Sequence, residues 1–389
     1  MAGQVRERVK LSVSELTAGS LVDRDIYADR ALLVAAGVTL SAGMIESFKR
    51  RGITEIEIAN DSALVGGAQA DQAAALDGIL AAVHEVYEVH NVDTMLSAKV
   101  MEHATSQVEE LFQGIALGQA VDHEKTRDLS RQLVALFASR TKLAVKLLDL
   151  DHHDRYTYHH SVNVGMLFML VASEWAASQE ELEELVYGAM LHDLGKAKVG
   201  LEIINKPGKL TDEEWEVMRQ HPLWSAEMLL EAGAGPVPVS VARWHHERLD
   251  GQGYPDGLQG RELDRFVRLS SICDVYDALT TTRSYKKKMD FAKAIEIILQ
   301  DCGTHFDPEV AHEFIRRVGR YPVGSFVRLS SNEVAVVLRV NEHAISRPVI
   351  SRILNADGSL RTQGEELDLA ETSELYINAV VTAEDAVNR

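Results

Sequence analysis

The sequence is poor in cysteine, in positive charge and in long apolar segments. Its 389 residues include only two cysteines, Cys273 and Cys302, which are too few for a disulfide framework or a zinc site built from thiolates. Lys and Arg number 40 against 59 Asp and Glu, and the resulting net charge of −19 repels polyanions. This charge argues against binding of nucleic-acid polymers or anionic membranes. A small anionic substrate would therefore need a local group of cations.

The apolar runs are also too short for a membrane protein. The longest, residues 164–172, falls far below the length that crosses a bilayer, and the opening MAGQVRERVK lacks the apolar core of a signal peptide. We therefore predict a cytoplasmic protein without membrane insertion. With 46% hydrophobic and 25% charged residues, a chain of this length is typical of a globular protein with two or three domains.

Changes in residue patterning predict four segments. Short strand-like runs and one helical stretch near residues 41–50 indicate a small α+β domain over residues 1–65. Apolar residues at helical spacing predict a helical linker over residues 66–124, whose apolar faces pack on neighbouring helices, on a second subunit in a homodimer or on a protein partner. Helix follows helix over residues 125–320, and alternating residues predict a small β-rich segment over residues 321–389. The predicted fold is mainly α with β-rich flanks.

The residues that carry chemistry begin with HDLGK, residues 192–196. A His and an Asp side by side, followed by Lys196, place two metal-ligand types and a cation within little more than one helical turn. Further ligand types arrive at or near the ends of helical patterns, at His221, His245–His246 and Asp274. Asp274 stands in an otherwise apolar helix, where a carboxylate needs a partner such as a metal ion. This spacing predicts one buried cluster.

Two parts of the pattern leave the ligand set open. His160, in the run DHHDRYTYHHSVNVG, shares a helix face with Val164 and Leu167 and therefore points toward the core. It is either a ligand, a neighbour of a ligand, or a buried histidine with other partners. Two adjacent histidines on a helix cannot both point at one metal, so either His245 or His246 is expected to lie beside a ligand or to serve another ion.

A group of cations follows Asp274. The segment TTTRSYKKK holds Arg283, Lys286 and two further lysines in a chain that is otherwise acidic. It is either a solvated surface or the phosphate-binding group that an anionic substrate requires. The loop before the predicted helix of Asp274 has the sequence ERLDGQGYPDGLQG. Its four glycines and one proline predict an irregular but defined backbone.

Five segments, in order, resemble the HD-GYP family of bacterial cyclic di-GMP phosphodiesterases: HDLGK, KPGKLTDEEWEVMRQHP, HHERLDGQGYPDGL, CDVYDALTTTRSYKK and GTHFDP. The resemblance covers residues 155–318 and implies an all-helical HD-type phosphohydrolase domain with two or three metals, usually iron or manganese. By position it implies seven metal ligands: His160, His192, Asp193 as the bridge, His221, His245, His246 and Asp274. It further implies that Lys196 acts at the site, that Arg283 and Lys286 contact phosphate, and that Gly253-Tyr254-Pro255 forms the signature loop.

Two positions depart from the family pattern. Members with a third metal carry a Glu four residues before the position of His160, and Tyr156 stands there in this chain, so we expect two metals. Many members read roughly Ile-Pro-Asp where this chain has residues 199–201, which changes no implied ligand. Imidazoles and carboxylates without a thiolate suit iron, manganese, nickel or zinc. The resemblance puts iron first and manganese second.

The sequence therefore predicts a metal-dependent phosphodiesterase that hydrolyses cyclic di-GMP to pGpG, to GMP or to both. Asp193 would bridge two cations that lower the pKa of water from about 15.7 toward 7, so that hydroxide attacks phosphorus. Lys196 would stabilise charge on the phosphate oxygens. One alternative is an HD phosphohydrolase for a hybrid cyclic dinucleotide or a guanosine polyphosphate. The other is a non-catalytic module that senses the nucleotide or docks a partner, which the complete ligand set disfavours.

Overall fold

The computed structural model describes residues 8–12, 26–28, 31–34, 49, 55–59, 68–90, 93–94, 98–118, 123–138, 143–144, 156–204, 206, 208–281, 289–361 and 364–387. The chain divides into two compact units, Met1–Asp77 and Gly78–Arg389. The four segment boundaries predicted from the sequence stay predictions. Among the described helices, none combines the length and the apolar character that a membrane span requires.

Among its described residues, the first unit contains two antiparallel strand pairs, β1 with β4 and β2 with β3. Their bounds are β1 (Arg8–Ser12), β2 (Ile26–Ala28), β3 (Ala31–Val34) and β4 (Glu55–Ala59). The helix predicted near residues 41–50 lies outside the described residues, apart from Lys49, which is helical.

Helices dominate the second unit. Their bounds are α1 (Ala68–Val89, which begins in the first unit), α2 (Ala98–Ala116), α3 (His123–Ala138), α4 (Tyr156–Ala172), α5 (Gln179–Met190), α6 (Leu201–Ile204), α7 (Asp212–Met218), α8 (His221–Glu231), α9 (Pro236–Trp244), α10 (Arg265–Thr280), α11 (Phe291–Gln300), α12 (Pro308–Val318) and α13 (Ala383–Val387). In the described part of this unit, 3₁₀ turns at Leu194–Lys198 and Gly260–Glu262 interrupt them. The short strands β5 (Asp93–Thr94) and β6 (Leu143–Ala144) form a parallel pair.

Helix α4 is the centre of the bundle. Every residue from His159 to Ala172 is buried, because the helix is apolar around most of its circumference. It contacts α2, α5, α10 and α12. The few polar side chains on α4, His160 and Asn163 among them, are therefore held inside the protein, where each needs a hydrogen-bond partner or an ion.

Capping residues fix the helix ends around the site. Thr211 and Glu214 form a capping box at the start of α7, each side chain bonding the other's backbone N–H. The side chain of Asp264 accepts a hydrogen bond from the N–H of Phe266 at the start of α10. Pro222 occupies the first turn of α8, where its missing N–H costs no helical hydrogen bond. These ends place His221 at the junction of α7 and α8.

The C-terminal segment is a five-stranded antiparallel sheet in the order β10-β9-β8-β7-β11. Its strands are β7 (Phe326–Leu329), β8 (Val334–Arg339), β9 (Val349–Leu354), β10 (Glu366–Asp368) and β11 (Ile377–Val381). The side chains of successive β8 residues point to opposite faces of the sheet. Val334 and Val336 pack with Ile79 and Val83 of α1, whereas Ala335 packs with the core of the other face. The predicted fold, mainly α with a β-rich C-terminal segment, is confirmed.

The close approach of α5 and α9 can be tested at Gly188, where a β-carbon would lie 2.7 Å from the backbone Cα of Pro238. Gly188→Ala should lower the thermal unfolding midpoint, because overpacking of about 1–3 kcal/mol exceeds a gain in helix propensity of about 1 kcal/mol. Gly78→Ala is the matched control inside a helix. A β-carbon there meets the end of the exposed Leu360 side chain at 3.3 Å, so the midpoint should stay or rise. Equal midpoints would contradict the close approach.

Candidate metal centre

Seven side chains from five parts of the chain converge on one buried place: His160 on α4, His192 and Asp193 after α5, His221 at the start of α8, His245 and His246 after α9, and Asp274 on α10. Their ligand atoms form two groups, within each of which the atoms lie within 4.8 Å of one another. We call them the three-histidine group (Asp193, His221, His245 and His246) and the two-histidine group (His160, His192 and Asp274). The structure thus brings together all the predicted metal ligands.

Asp193 turns one oxygen toward each group. Its Oδ1 lies 3.1 Å from His221 Nε2 and 3.7 Å from His245 Nε2. Its Oδ2 lies 3.5 Å from His192 Nε2 and 3.7 Å from His160 Nε2. A carboxylate in this orientation is able to bind a cation in each group at the same time.

Helix-end carbonyl groups align three of the imidazoles. Each donates its Nδ1–H to the carbonyl oxygen three residues earlier, at 2.7 to 2.8 Å: His192 to Ala189, His221 to Met218 and His245 to Ala242. These carbonyls are available because the last four of an α-helix have no partner within the helix. A carbonyl only accepts hydrogen bonds, so the hydrogen is on Nδ1 and Nε2 of the neutral ring carries a lone pair.

Lone pairs consequently face one another inside the protein. His221 Nε2 lies 3.4 Å from His245 Nε2. Within the described part of the chain, His192 Nε2 and Asp193 Oδ1 are buried without a hydrogen bond of acceptable geometry. Acceptors packed against acceptors cost free energy unless a cation lies between them. Imidazole nitrogens and carboxylate oxygens are ligands of divalent transition metals, so this cluster fits a divalent metal site.

Burial and neighbouring charges favour the metal-binding forms of these groups. Burial lowers the pKa of His221 and of His245, and it lowers the pKa of His246 to about 3. Burial acts to raise the pKa of Asp193, but the charge of Lys196 and the contacts with imidazoles outweigh it and hold this pKa well below its ordinary value. Lys196 Nζ lies 2.5 Å from Asp193 Oδ2. His221, His245 and His246 are therefore neutral imidazoles, and Asp193 is an ionised carboxylate.

His160 is aligned by a carboxylate instead of a carbonyl. Its Nδ1 lies 2.6 Å from Asp277 Oδ2, and its Nε2 lies 3.1 Å from Asp274 Oδ1. Burial acts to lower the pKa of His160, but hydrogen bonds to these two carboxylates raise it to about 9. Asp277 also accepts hydrogen bonds from Asn163 and Thr281.

Asp277 was not among the residues predicted from the sequence. Its position one turn after Asp274 on the same helix was the available signal.

The sequence predicts that His245 and His246 both stand on a helix and so cannot both point at one metal. That prediction is wrong. Helix α9 ends at Trp244, His245 is its C-cap, and His246 lies in the turn that follows. The angular spacing of helical side chains therefore does not apply, and both residues belong to the three-histidine group. His246 Nδ1 also lies 3.7 Å from Asp274 Oδ2, which places this ring between the two groups.

The predicted signature loop lies against the site. The buried Glu247 carboxylate accepts hydrogen bonds from the backbone N–H groups of residues 256–258. Gly253 approaches the backbone so closely that a β-carbon would lie 2.4 Å from the Cα atom of Glu247. Tyr254 stacks on His246 with ring centroids 4.8 Å apart. The loop thus has a fixed conformation beside a candidate metal ligand.

An exposed aromatic surface continues outward from Tyr254. Trp215 of α7 lies edge-on to Tyr254, with centroids 6.1 Å apart, and 45% of Trp215 is exposed. The guanidinium carbon of Arg219 lies 5.0 Å from the centroid of the Tyr254 ring. We call Trp215, Arg219 and Tyr254 the aromatic mouth. It joins the surface of the protein to His246.

The predicted substrate-binding residues are only partly covered by the structure. Lys196 and the loop Gly253-Tyr254-Pro255 lie at the cluster, as described above. Arg283 and Lys286 belong to residues 282–288, outside the described residues. Their contact with phosphate stays a prediction.

Two family models match the chain. One, described as an HD domain, matches residues 150–310, and the other, described as a KOW domain associated with HD domain, matches residues 326–389. The first covers the cluster and the helices that deliver it. The second covers the C-terminal sheet.

Curated proteins provide further matches. A cyclic di-GMP phosphodiesterase of Pseudomonas aeruginosa is 36% identical over 274 residues, which is 70% of this chain and 66% of that protein. A 3'3'-cGAMP-specific phosphodiesterase of Vibrio cholerae is 35% identical over 160 residues, 41% of this chain and 35% of that protein. A cyclic di-GMP phosphodiesterase response regulator of Xanthomonas campestris is 37% identical over 149 residues, 38% of this chain and 39% of that protein.

The chain therefore spans about two thirds of the length of the first relative and little more than a third of the other two. All three alignments reach or exceed 35% identity, and the HD-domain match carries the HD pair, the later histidines and the Gly-Tyr-Pro loop in one segment. With these matches and the converging cluster, the chain belongs to the HD-GYP family.

Proposed function

We propose that this protein is a metal-dependent phosphodiesterase that hydrolyses cyclic di-GMP to pGpG, to GMP or to both. The observation that carries the proposal is the pair of ligand groups joined by Asp193, with Lys196 beside it. Two of the relatives named above are cyclic di-GMP phosphodiesterases, which supports this substrate. The cytoplasmic location predicted from the sequence belongs to the same proposal.

We assign one divalent ion to each ligand group, with iron as the first candidate and manganese as the second. When bound, such ions supply Lewis acidity and lower the pKa of a coordinated water, which makes a phosphodiester open to attack at neutral pH. Asp193 would hold both ions at a fixed separation. Its position between the groups, 1% exposed, excludes solvent from that side.

Lys196 has two tasks in this scheme. Its Nζ neutralises the charge of the buried Asp193 carboxylate, while 24% of the Lys196 side chain is exposed to solvent. An ammonium in this place is able to contact a non-bridging phosphate oxygen, on which charge grows during the reaction. Arg283 and Lys286 would hold the second phosphate of a cyclic dinucleotide.

The aromatic mouth supports a substrate that carries a planar base. Nucleobases stack on exposed aromatic rings, and an Arg side chain either stacks on a base or donates to the O6 and N7 atoms of guanine. Both cyclic di-GMP and 3'3'-cGAMP contain guanine. The hybrid dinucleotide is therefore the second candidate substrate, and the Vibrio cholerae relative favours it.

Reconstitution with Fe(II) or Mn(II) without oxygen, followed by a panel of cyclic di-GMP, 3'3'-cGAMP and guanosine tetraphosphate, tests the proposal. We expect about two ions per chain by elemental analysis and the highest kcat/KM for cyclic di-GMP. Faster hydrolysis of another nucleotide would replace the substrate. Two bound ions with no turnover of any nucleotide would instead favour a sensing or docking module.

Asp193→Asn should remove turnover and lower the metal content below two ions per chain, because an amide is a poorer bridge than a carboxylate. The loss of several kcal/mol of charge stabilisation corresponds to about a 10³-fold fall in rate. Asp264→Asn is the matched control, since Asn caps a helix as well as Asp does and this position lies at the start of α10. Normal metal content and turnover in Asp193→Asn would refute the bridge.

Trp215→Leu should raise the KM for cyclic di-GMP by roughly 5- to 150-fold, since stacking on one aromatic ring contributes about 1–3 kcal/mol per base. The kcat/KM for bis(p-nitrophenyl) phosphate, a diester without a nucleobase, should change much less. Tyr376→Leu removes an aromatic residue of similar exposure from the C-terminal sheet region and is the control. An unchanged KM for the dinucleotide would exclude the aromatic mouth from substrate binding.

A further inference from the structure

We propose that Asp277 and Asn163 together fix the tautomer of His160, so that its Nε2 carries a lone pair toward the two-histidine group. Asp277 and Asn163 would then be positioning residues for one of the two metal ions. The inference rests on the proposed metal site. It does not depend on which nucleotide is the substrate.

His160 needs a separate hydrogen-bond acceptor because of its position within a helix. His192, His221 and His245 follow helix ends and use the free carbonyl groups there. His160 lies inside α4, where the carbonyl of Thr157 serves the hydrogen-bond ladder of the helix. The Nδ1–H of His160 therefore needs an acceptor from another element.

Asp277 provides that acceptor from α10. Its Oδ2 lies 2.6 Å from His160 Nδ1, and its side chain is fully buried. An ionised carboxylate has acceptor atoms only, so Nδ1 keeps its hydrogen, and Nε2 is the nitrogen that gives up its hydrogen to carry a lone pair when a cation binds. The same helix supplies Asp274, which lies 3.1 Å from that Nε2. One helix thus sets both a candidate ligand and the tautomer of its neighbour.

Asn163 determines which side-chain atom of residue 277 faces His160. One turn along α4 from His160, its Nδ2 donates to Asp277 Oδ1 at 2.9 Å, and Thr281 Oγ1 donates to the same oxygen at 3.0 Å. Donors therefore occupy this side of residue 277. If residue 277 were an amide, its oxygen would face Asn163 and its NH₂ would face His160 Nδ1. The imidazole would then have to accept at Nδ1 and carry its hydrogen on Nε2, where the metal should bind.

A second substitution, at residue 163, should rescue a first one at residue 277. Asp277→Asn should weaken one of the two metal sites by about 10- to 100-fold, the usual effect of removing a partner that orients a ligand. Adding Asn163→Asp reverses the donors and acceptors, because the new carboxylate accepts from the NH₂ of the amide at 277. The amide oxygen then accepts from His160 Nδ1 again. The double variant should recover affinity to within about threefold of the original protein.

The experiment is a titration of the metal-free full chain with Mn(II), with bound metal measured after equilibrium dialysis for the original protein, both variants and Asp264→Asn. Thermal unfolding midpoints of the metal-free proteins check that each variant folds. The control should bind like the original protein. Two sites of unchanged affinity in Asp277→Asn would overturn the proposal, and so would a folded double variant that binds no better than the single one. An original protein that binds two ions but leaves cyclic di-GMP intact would refute the proposed function and not this inference.

Discussion

The Asp193 carboxylate, buried between two sets of imidazoles, is the constraint on which the helical unit depends. A buried carboxylate costs several kcal/mol unless opposite charge compensates it. Lys196 compensates one oxygen, while the other faces the lone pairs of His221 and His245. The apolar core around α4 cannot reduce this cost. The fold consequently creates a buried site whose negative charge and lone pairs favour the binding of cations.

Helix ends perform much of this arrangement. The histidines follow the C-terminal ends of α5, α7 and α9, where free carbonyls orient the rings. Each such end carries the equivalent of about half a negative charge. Three such ends, each in contact with a histidine of the cluster, add to the attraction that Asp193 and Asp274 exert on a cation. The same local structure therefore positions the ligands and favours what they bind.

The sequence predicted the residues of the site better than their arrangement. Ligand types that recur near helix ends pointed to the HD pair and to the later histidines, the resemblance to a family supplied the full set of seven, and the capping box at Thr211 can be read directly. Whether both His245 and His246 face one group depends on the residue at which α9 ends, and helix ends are the least certain part of any such prediction. The pairing of His160 with Asp277 spans 117 residues, so no local period reveals it.

A protein with a net negative charge that binds an anionic substrate needs a positive electrostatic potential at its binding site. The net charge of −19 repels a cyclic dinucleotide at long range. In the proposed metal-loaded protein, two divalent ions outweigh the carboxylates of Asp193, Asp274 and Asp277, and Lys196 adds to the excess. The attraction acts over about a Debye length, roughly 8 Å at physiological salt. Substrate binding should therefore be linked to metal loading, because without the ions the carboxylates dominate the site, and only the aromatic mouth and the proposed phosphate-contacting cations remain to hold the nucleotide.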